Sequence, residues 1–311
     1  MLLGYSKIME LRHLRYFVAV AEALSFSKAA GQLRVAQPAV SRQIADLEEE
    51  VGTSLMQRNN RVVRLTAAGQ AFLKDAKKML DQAEAATERA RRVARGEVGE
   101  LNIAFLGAPT MIFLPALVKA YRRQFPEVTV NLFEMLPERQ LAAFTEGRLH
   151  VGFSRPLPAP SHQGLRSELV LHEALQAVAP ETHPLVRKKR VGLVDLSMYP
   201  FVLLDRNEMK GVFDRIIAAC RAAGFSPSIV NAPNLMATVL TLVAAEQGVS
   251  VVPESVRNLR SEGIVFLNLQ PKLEPIPLVM IWDDALDSPP RAAFQRLVRE
   301  QLKDIRQHFV K

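Results

Sequence analysis

From Leu65 to Val93 the chain sets an apolar or small residue at alternating steps of four and three: Leu65, Gly69, Phe72, Ala76, Met79, Ala83, Ala86, Ala90 and Val93. This is the 3.5-residue repeat of one long helix, about 43 Å from end to end at 1.5 Å per residue. Such a helix either packs along its own domain or pairs with a second copy of itself. A heptad held for four cycles with charges outside it argues for pairing, with Phe72, Ala76, Met79, Ala83, Ala86 and Ala90 as the dimerisation seam. Arg89, Arg91, Arg92 and Arg95 at its end either touch DNA or form a solvated terminus that complements the helix dipole. The stripe divides the 311 residues into a short segment before it and a long one after it.

Charge follows the same division. The net charge of +8 separates into +6 over residues 1–95 and +2 over residues 96–311. A basic excess of this kind suits either a solvated surface or a polyanion partner, and most of it lies in the first third. Cys220 is the only cysteine, which excludes an intrachain disulfide, a cysteine-rich zinc site and a redox pair, and fits a reducing cytoplasm. The apolar run from Phe17 to Leu24 is broken by Glu22 and preceded by Arg12 and Arg15, so no membrane span, anchor or secretory signal is expected.

In the first third, Leu14, Phe17, Val18, Ala21 and Leu24 mark an amphipathic helix from Leu11. Ser25 or Ser27 can cap a second helix, Lys28 to Leu33. A third starts at Gln37 with Pro38 in its first turn, continues through Val40, Ile44, Leu47 and Val51, and ends at Gly52 as a left-handed cap. A tight link between the second and third helices makes a helix-turn-helix. The outward residues Gln37, Pro38, Ala39, Ser41, Arg42 and Gln43, with Ser27 beside them, are candidates for contact with DNA. Gln can pair with adenine, Arg can span both guanine acceptors and Ala can meet the thymine methyl. Two short extended runs around Asn59 and Asn60 then form a wing, whose Arg58, Arg61 and Arg64 reach phosphates or the minor groove.

The runs Met9 to Phe17, Leu24 to Ala30, Gln37 to Ile44, Leu47-Glu48 and Arg64 to Gly69 stand in a characteristic order and spacing. On these residues the chain resembles the LysR-type transcriptional regulators, and within them the regulators of aromatic catabolism. The family pattern usually begins at the position of Met9, which leaves residues 1–8 outside it, and often has Ser where this chain has Ala36. The resemblance implies a winged helix-turn-helix over residues 9–66 and a linker helix over 67–95. It implies a periplasmic-binding-protein-like α/β effector domain over 96–311, with subdomain I at about 99–162 and 275–311 and subdomain II at about 163–274. It further implies homodimers assembling to a homotetramer on a dyad-symmetric promoter, where RNA polymerase gains or loses access.

The long segment after Gly96 and Gly99 alternates strands with helices, the pattern of a mainly parallel sheet. Strands are expected at Leu101 to Leu106, Val128 to Phe133, Val151 to Ser154, Glu168 to Leu171, Leu175 to Ala179, Phe201 to Leu204, Val249 to Val252 and Leu278 to Trp282. The proline-rich stretch Arg155 to Gly164 reads as the crossover into a second unit, and the last strand with the helix Arg291 to His308 returns to the first. Gly99 to Leu101, Phe105 to Gly107, Val151 to Arg155 and Gly248 to Pro253 resemble landmarks of the family's effector domain.

Ligands of open α/β sheets sit at the carboxyl ends of strands, between the halves. Those ends place Gly107, Ala108, Pro109, Thr110, Met135, Pro137, Phe153, Arg155, Leu204, Asp205, Arg206, Phe213, Pro233 and Asn234 at a candidate effector site. Helix starts favour an anion, and Arg155 or Arg206 could clamp it, although Arg155 equally suits a structural ion pair and Phe153 the core. A small organic acid, with an aromatic-degradation metabolite as one candidate, is the expected inducer, with no further cofactor. The muconate- and benzoate-responsive relatives present hydroxyl side chains where this chain has Ala108 and Pro137, so the site implied is the same and the molecule different.

The chain holds no phosphate-binding glycine loop, no nucleophile elbow and only scattered histidines, so an enzyme is not expected. The competing class is a solute-binding protein or enzyme built on the α/β part, which leaves the winged motif without a role.

Overall fold

The computed structural model describes residues 9–59, 62–156, 164–259 and 262–308. Helix α1 (Leu11–Ala23) buries Leu14, Phe17, Val20 and Ala21 on one stripe, and stops where Leu24 takes a left-handed backbone, φ 46°, that turns its side chain outward. The Ser25 hydroxyl accepts from the Lys28 N–H at 3.3 Å, so α2 (Phe26–Leu33) begins at Phe26 rather than Lys28 and contains Ser27. Helix α3 (Gln37–Val51) buries Val40, Ile44 and Leu47 and ends at Gly52, φ 74°. The wing follows as β1 (Met56–Asn59) and β2 (Val62–Leu65), antiparallel with Met56 opposite Leu65. Glu48, on the inner end of α3, accepts from the N–H groups of Leu55 and Met56 at 2.8 Å each and so ties the wing to the helix.

Helix α4 (Ala67–Ala94) starts at Thr66, whose hydroxyl accepts from the Gly69 N–H at 2.9 Å and donates to the Ser54 carbonyl at 2.8 Å. In its first half, two of the residues assigned to the seam pack against their own domain. Phe72 lies edge-on to Phe17 with ring centroids 5.3 Å apart, and Ala76 is buried in the same core, because the apolar stripe passes directly over α1. A Lys77–Glu22 ion pair at 2.7 Å reinforces that packing. Met79, Ala83, Ala86 and Ala90 lie beyond it, exposed or half-exposed.

The chain divides into two units, Met1–Arg92 and Val93–Lys311. The second runs β3 (Val98–Phe105), α5 (Gly107–Thr110), α6 (Leu114–Gln124), β4 (Glu127–Glu134), α7 (Pro137–Thr145), β5 (Val151–Ser154), β6 (Leu165–Glu173), β7 (Leu175–Pro180), β8 (Phe201–Val202), α8 (Lys210–Ala222), β9 (Ile229–Asn231), α9 (Met236–Ala244), β10 (Ser250–Pro253), β11 (Ile264–Leu267), β12 (Ile276–Asp283) and α10 (Pro289–His308). The first sheet has the order β4-β3-β5-β12-β6, with β4, β3 and β5 parallel and β12 antiparallel to both neighbours. A parallel bridge from Phe201 to Val249 sets β8 beside β10, so the second sheet reads β9-β8-β10-β7-β11. Its directions repeat those of the first.

Two expectations change. The sheets are mixed rather than mainly parallel, because the strand that enters each from the other half runs against its neighbours. Strand β6 pairs with β12 along its whole length, so Arg155 to Gly164 joins two strands of one sheet, and the chain crosses between halves at Ala174 instead of near residue 163. Strands β9 and β11, short and half-exposed, carry too little alternation to stand out in the sequence.

The first half is packed around aromatic edges: Phe153 meets Phe113 at 5.4 Å and Phe294 at 6.3 Å, and Tyr121 meets Phe294 at 5.5 Å. The Tyr121 hydroxyl donates to the Pro290 carbonyl at 3.0 Å, and burial pushes its pKa up to about 12, which keeps it a donor.

A Cβ on Gly69 would collide with the Leu55 carbonyl, whereas one on Gly31, in α2, would meet open space. Gly69→Ala is therefore expected to cost about 1–3 kcal/mol and Gly31→Ala to be neutral or to stabilise by about 0.4–1 kcal/mol, both measured by urea denaturation followed by circular dichroism.

Candidate functional site

One face of α3 is spent on the core, and the other carries the candidate reading residues. Gln37, Pro38, Ala39 and Arg42 are exposed, Ser41 is half-buried, and Ser27 on α2 is exposed. Gln43 differs, because its carboxamide oxygen is buried and has no hydrogen-bond partner. Arg64 on the wing is exposed; Arg61 and the Arg58 side chain lie outside the described residues. With Val40, Ile44 and Leu47 at 0 % exposure, α3 is held by its inner face while its first two turns project outward. That geometry suits insertion into a major groove, with the wing arginine beside it for phosphate.

A cleft of about 500 Å³ opens at the carboxyl ends of the parallel strands of the second unit. Gly107, Ala108, Pro109, Met135, Arg155, Leu204 and Asn234, all anticipated from the sequence, line it. The other anticipated residues do not. Thr110 is buried and donates its hydroxyl to the Leu106 carbonyl, Phe153 is in the aromatic core, and Pro137 is buried in the first turn of α7. The Pro233 carbonyl accepts from the Asp205 N–H at 2.8 Å, Asp205 in turn caps the Asn207 N–H at 2.7 Å, and Phe213 lines a separate inner cavity.

Both arginine clamps are occupied. Arg206 forms a two-pronged pair with Asp214, at 2.6 and 3.0 Å, on the exposed surface of α8. Arg155 is paired with Glu173, their side chains only 5 % and 0 % exposed, and it also donates to the Pro277 carbonyl at 3.2 Å. The second Glu173 oxygen accepts from the Ser255 N–H at 2.6 Å, so one carboxylate ties the first half to the second. Arg155 is thus the structural ion pair of the two alternatives, with its Nε alone buried and unpartnered.

The residues that the sequence did not disclose set the character of the cleft. Five helical starts converge on it, at Leu106 for α5, Leu136 for α7, Met209 for α8, Leu235 for α9 and Pro253 for the 3₁₀ turn Glu254–Asn258. None of the five has a cap residue that accepts through its side chain, but the 3₁₀ turn is already filled, its Glu254 and Ser255 N–H groups donating to the Ala174 carbonyl and to Glu173, so the first-turn N–H groups left at the cleft belong to α5, α7, α8 and α9. The available signal was the alternation of strands with helices, which sets a helix start close after a strand end. Glu134 overlies Gly107, where a Cβ would collide with its carboxylate. Glu208 faces Arg139 across the cleft at 3.8 Å. Burial, with a smaller contribution from Glu208, holds the nearby Glu138 carboxyl above its ordinary range.

Residues 11–70 match the family described as bacterial regulatory helix-turn-helix protein, lysR family, and residues 94–303 match the LysR substrate binding domain. The chain belongs to the LysR family of transcriptional regulators. It is 38 % identical over 274 residues to the HTH-type transcriptional regulator AlsR of Bacillus subtilis, covering 88 % of this chain and 89 % of that protein. It is 34 % identical over 296 residues to the regulator TcbR of a Pseudomonas species, covering 95 % of this chain and all of that one, 100 %. The structure of full-length CbnR complexed with its target DNA superposes with a TM-score of 0.76 at 34 % identity, covering 94 % of this chain and 100 % of that chain. In this LysR regulator the winged helix is the DNA-binding domain and the two-sheet unit the effector-binding domain. Among the described residues no helix is long and apolar enough to cross a membrane.

If Arg155 serves the fold, Arg155→Ala strands a buried carboxylate and is expected to cost about 3–5 kcal/mol, while the double replacement Arg155→Met with Glu173→Leu costs far less. Thermal unfolding of the three proteins separates a structural pair from a ligand clamp.

Proposed function

We propose that this regulator binds a dyad-symmetric promoter site as a homodimer that assembles to a homotetramer, and switches transcription when a small organic acid enters the cleft. The convergence of four uncapped helix starts, those of α5, α7, α8 and α9, on a largely apolar cleft carries this reading, because such starts favour an anion without needing a charged side chain. Glu134 and Glu208 already bring negative charge to the edges of α5 and α8. What remains suits one carboxylate near α7 and α9 with an apolar body beside it, better than a dicarboxylate. Relatives described as the Hca operon transcriptional activator HcaR and a probable cat1 operon transcriptional activator support a role in transcription.

In mechanism, the ligand favours one relative tilt of the two halves. A coupling of about 1–3 kcal/mol between that tilt and the placement of the DNA arms is enough to alter RNA polymerase access. The Arg42 guanidinium reads a base and Arg64 positions the wing on phosphate. The reaction medium is the cytoplasm, where promoter and inducer meet.

Two measurements test this. Band-shift titrations on promoter fragments should show salt-sensitive, sequence-preferring binding, and Arg42→Ala should weaken the preferred site by about 1–3 kcal/mol and blur one base position; unchanged preference removes Arg42 from base reading. A thermal-shift screen should find monocarboxylic acids raising Tm, with about 2.7 kcal/mol of stabilisation at a hundred times Kd; a set of acids without any effect defeats the organic-acid reading.

A further inference from the structure

Behind the cleft, within the second half, a smaller cavity lies among α8, α9 and β10. Its walls are apolar except for Ser250, and Leu204, Met209, Met236 and Pro253 line both spaces, forming the partition between them. The Ser250 side chain is 0 % exposed and its Oγ has no hydrogen-bond partner. Free space in the chamber is about 10 Å³, enough for one water at most. Two of the four partition residues are methionines, whose unbranched side chains repack readily.

An isolated buried hydroxyl in an apolar wall is unfavourable unless something bonds to it. A chamber that shares a flexible wall with a ligand cleft can receive that something from the ligand. Resting on the organic-acid reading above, we propose that the chamber is the subsite for the tail of the inducer. The carboxylate stays at the helix starts of the cleft, Met209 and Met236 turn aside, and the tail enters toward Ser250. The ligand class is a monocarboxylic acid whose linear or aryl tail ends in a hydrogen-bonding group. Phe213 then contributes to recognition from the chamber wall rather than from the cleft.

Calorimetric titration of the full chain with acetate, butanoate, hexanoate and 6-hydroxyhexanoate tests the proposal. Affinity should rise along the unsubstituted series by about fourfold for each methylene that enters the chamber, and 6-hydroxyhexanoate should bind more tightly than hexanoate. Val239→Phe, which fills the chamber, should abolish the gain with length and leave acetate binding unchanged. Ser250→Val, a smaller change that lies outside the cleft, should abolish the preference for the hydroxylated tail and decides alone should Val239→Phe not fold. Gains that persist in these variants overturn the chamber. Acids that bind wild type equally at every length overturn the chamber and leave the organic-acid reading standing, whereas failure of every acid to bind overturns both.

Discussion

One buried carboxylate sits where the effector-binding unit is sewn together. Glu173 is the last residue of β6, only Ala174 separates it from β7, and its two oxygens reach Arg155 in the first half and the Ser255 N–H in the second. A buried ion pair is tolerated only when its remaining hydrogen-bonding capacity is met, and here the Pro277 carbonyl and the Ser255 N–H help to meet it. The chain returns between Leu267 and Ile276, so each sheet contains a strand delivered from the other half: β7 in the second, β12 in the first. Two crossings join the halves, and neither half can leave the other without breaking a sheet.

The cleft follows from that arrangement. Strands β3, β4, β8, β9 and β10 all end toward it, and each is followed by a helix or a 3₁₀ turn that begins there. A repeated sheet order therefore delivers five helical starts to one space, although the two halves have different sequences. The placement of those starts is a property of topology, and Glu134, Arg139 and Glu208 stand among them on the cleft wall.

The helix-turn-helix was the most legible part of the sequence because its rules are local. Pro38 and Gly52 bracket α3, Ser25 caps α2, and the inward spacing of Val40, Ile44 and Leu47 fixes which face of α3 is outward. Strand β5 also falls at the residues its apolar run indicates. The cleft was half legible: strand ends located its rim, but the state of each arginine depends on residues distant in sequence. Glu173 claims Arg155 and Asp214 claims Arg206, and neither spacing follows a helix or strand period that would have announced it. Strand direction was misjudged for the same reason, since alternation of strand and helix says nothing about a strand imported from another sheet. The linker stripe read correctly as a helix, yet periodicity does not distinguish a seam shared with a second chain from one laid on α1.

That last distinction bears on how this molecule could be taken apart and rebuilt. Because Phe72 lies against Phe17 and Ala76 is buried beside it, the opening turns of α4 are part of the reading head in every sense except sequence order. The head and the opening turns of α4 share one core. A chimera that grafts this head onto another sensor would have to be spliced beyond Leu80; a junction at Thr66 would leave the donor head without its fourth wall.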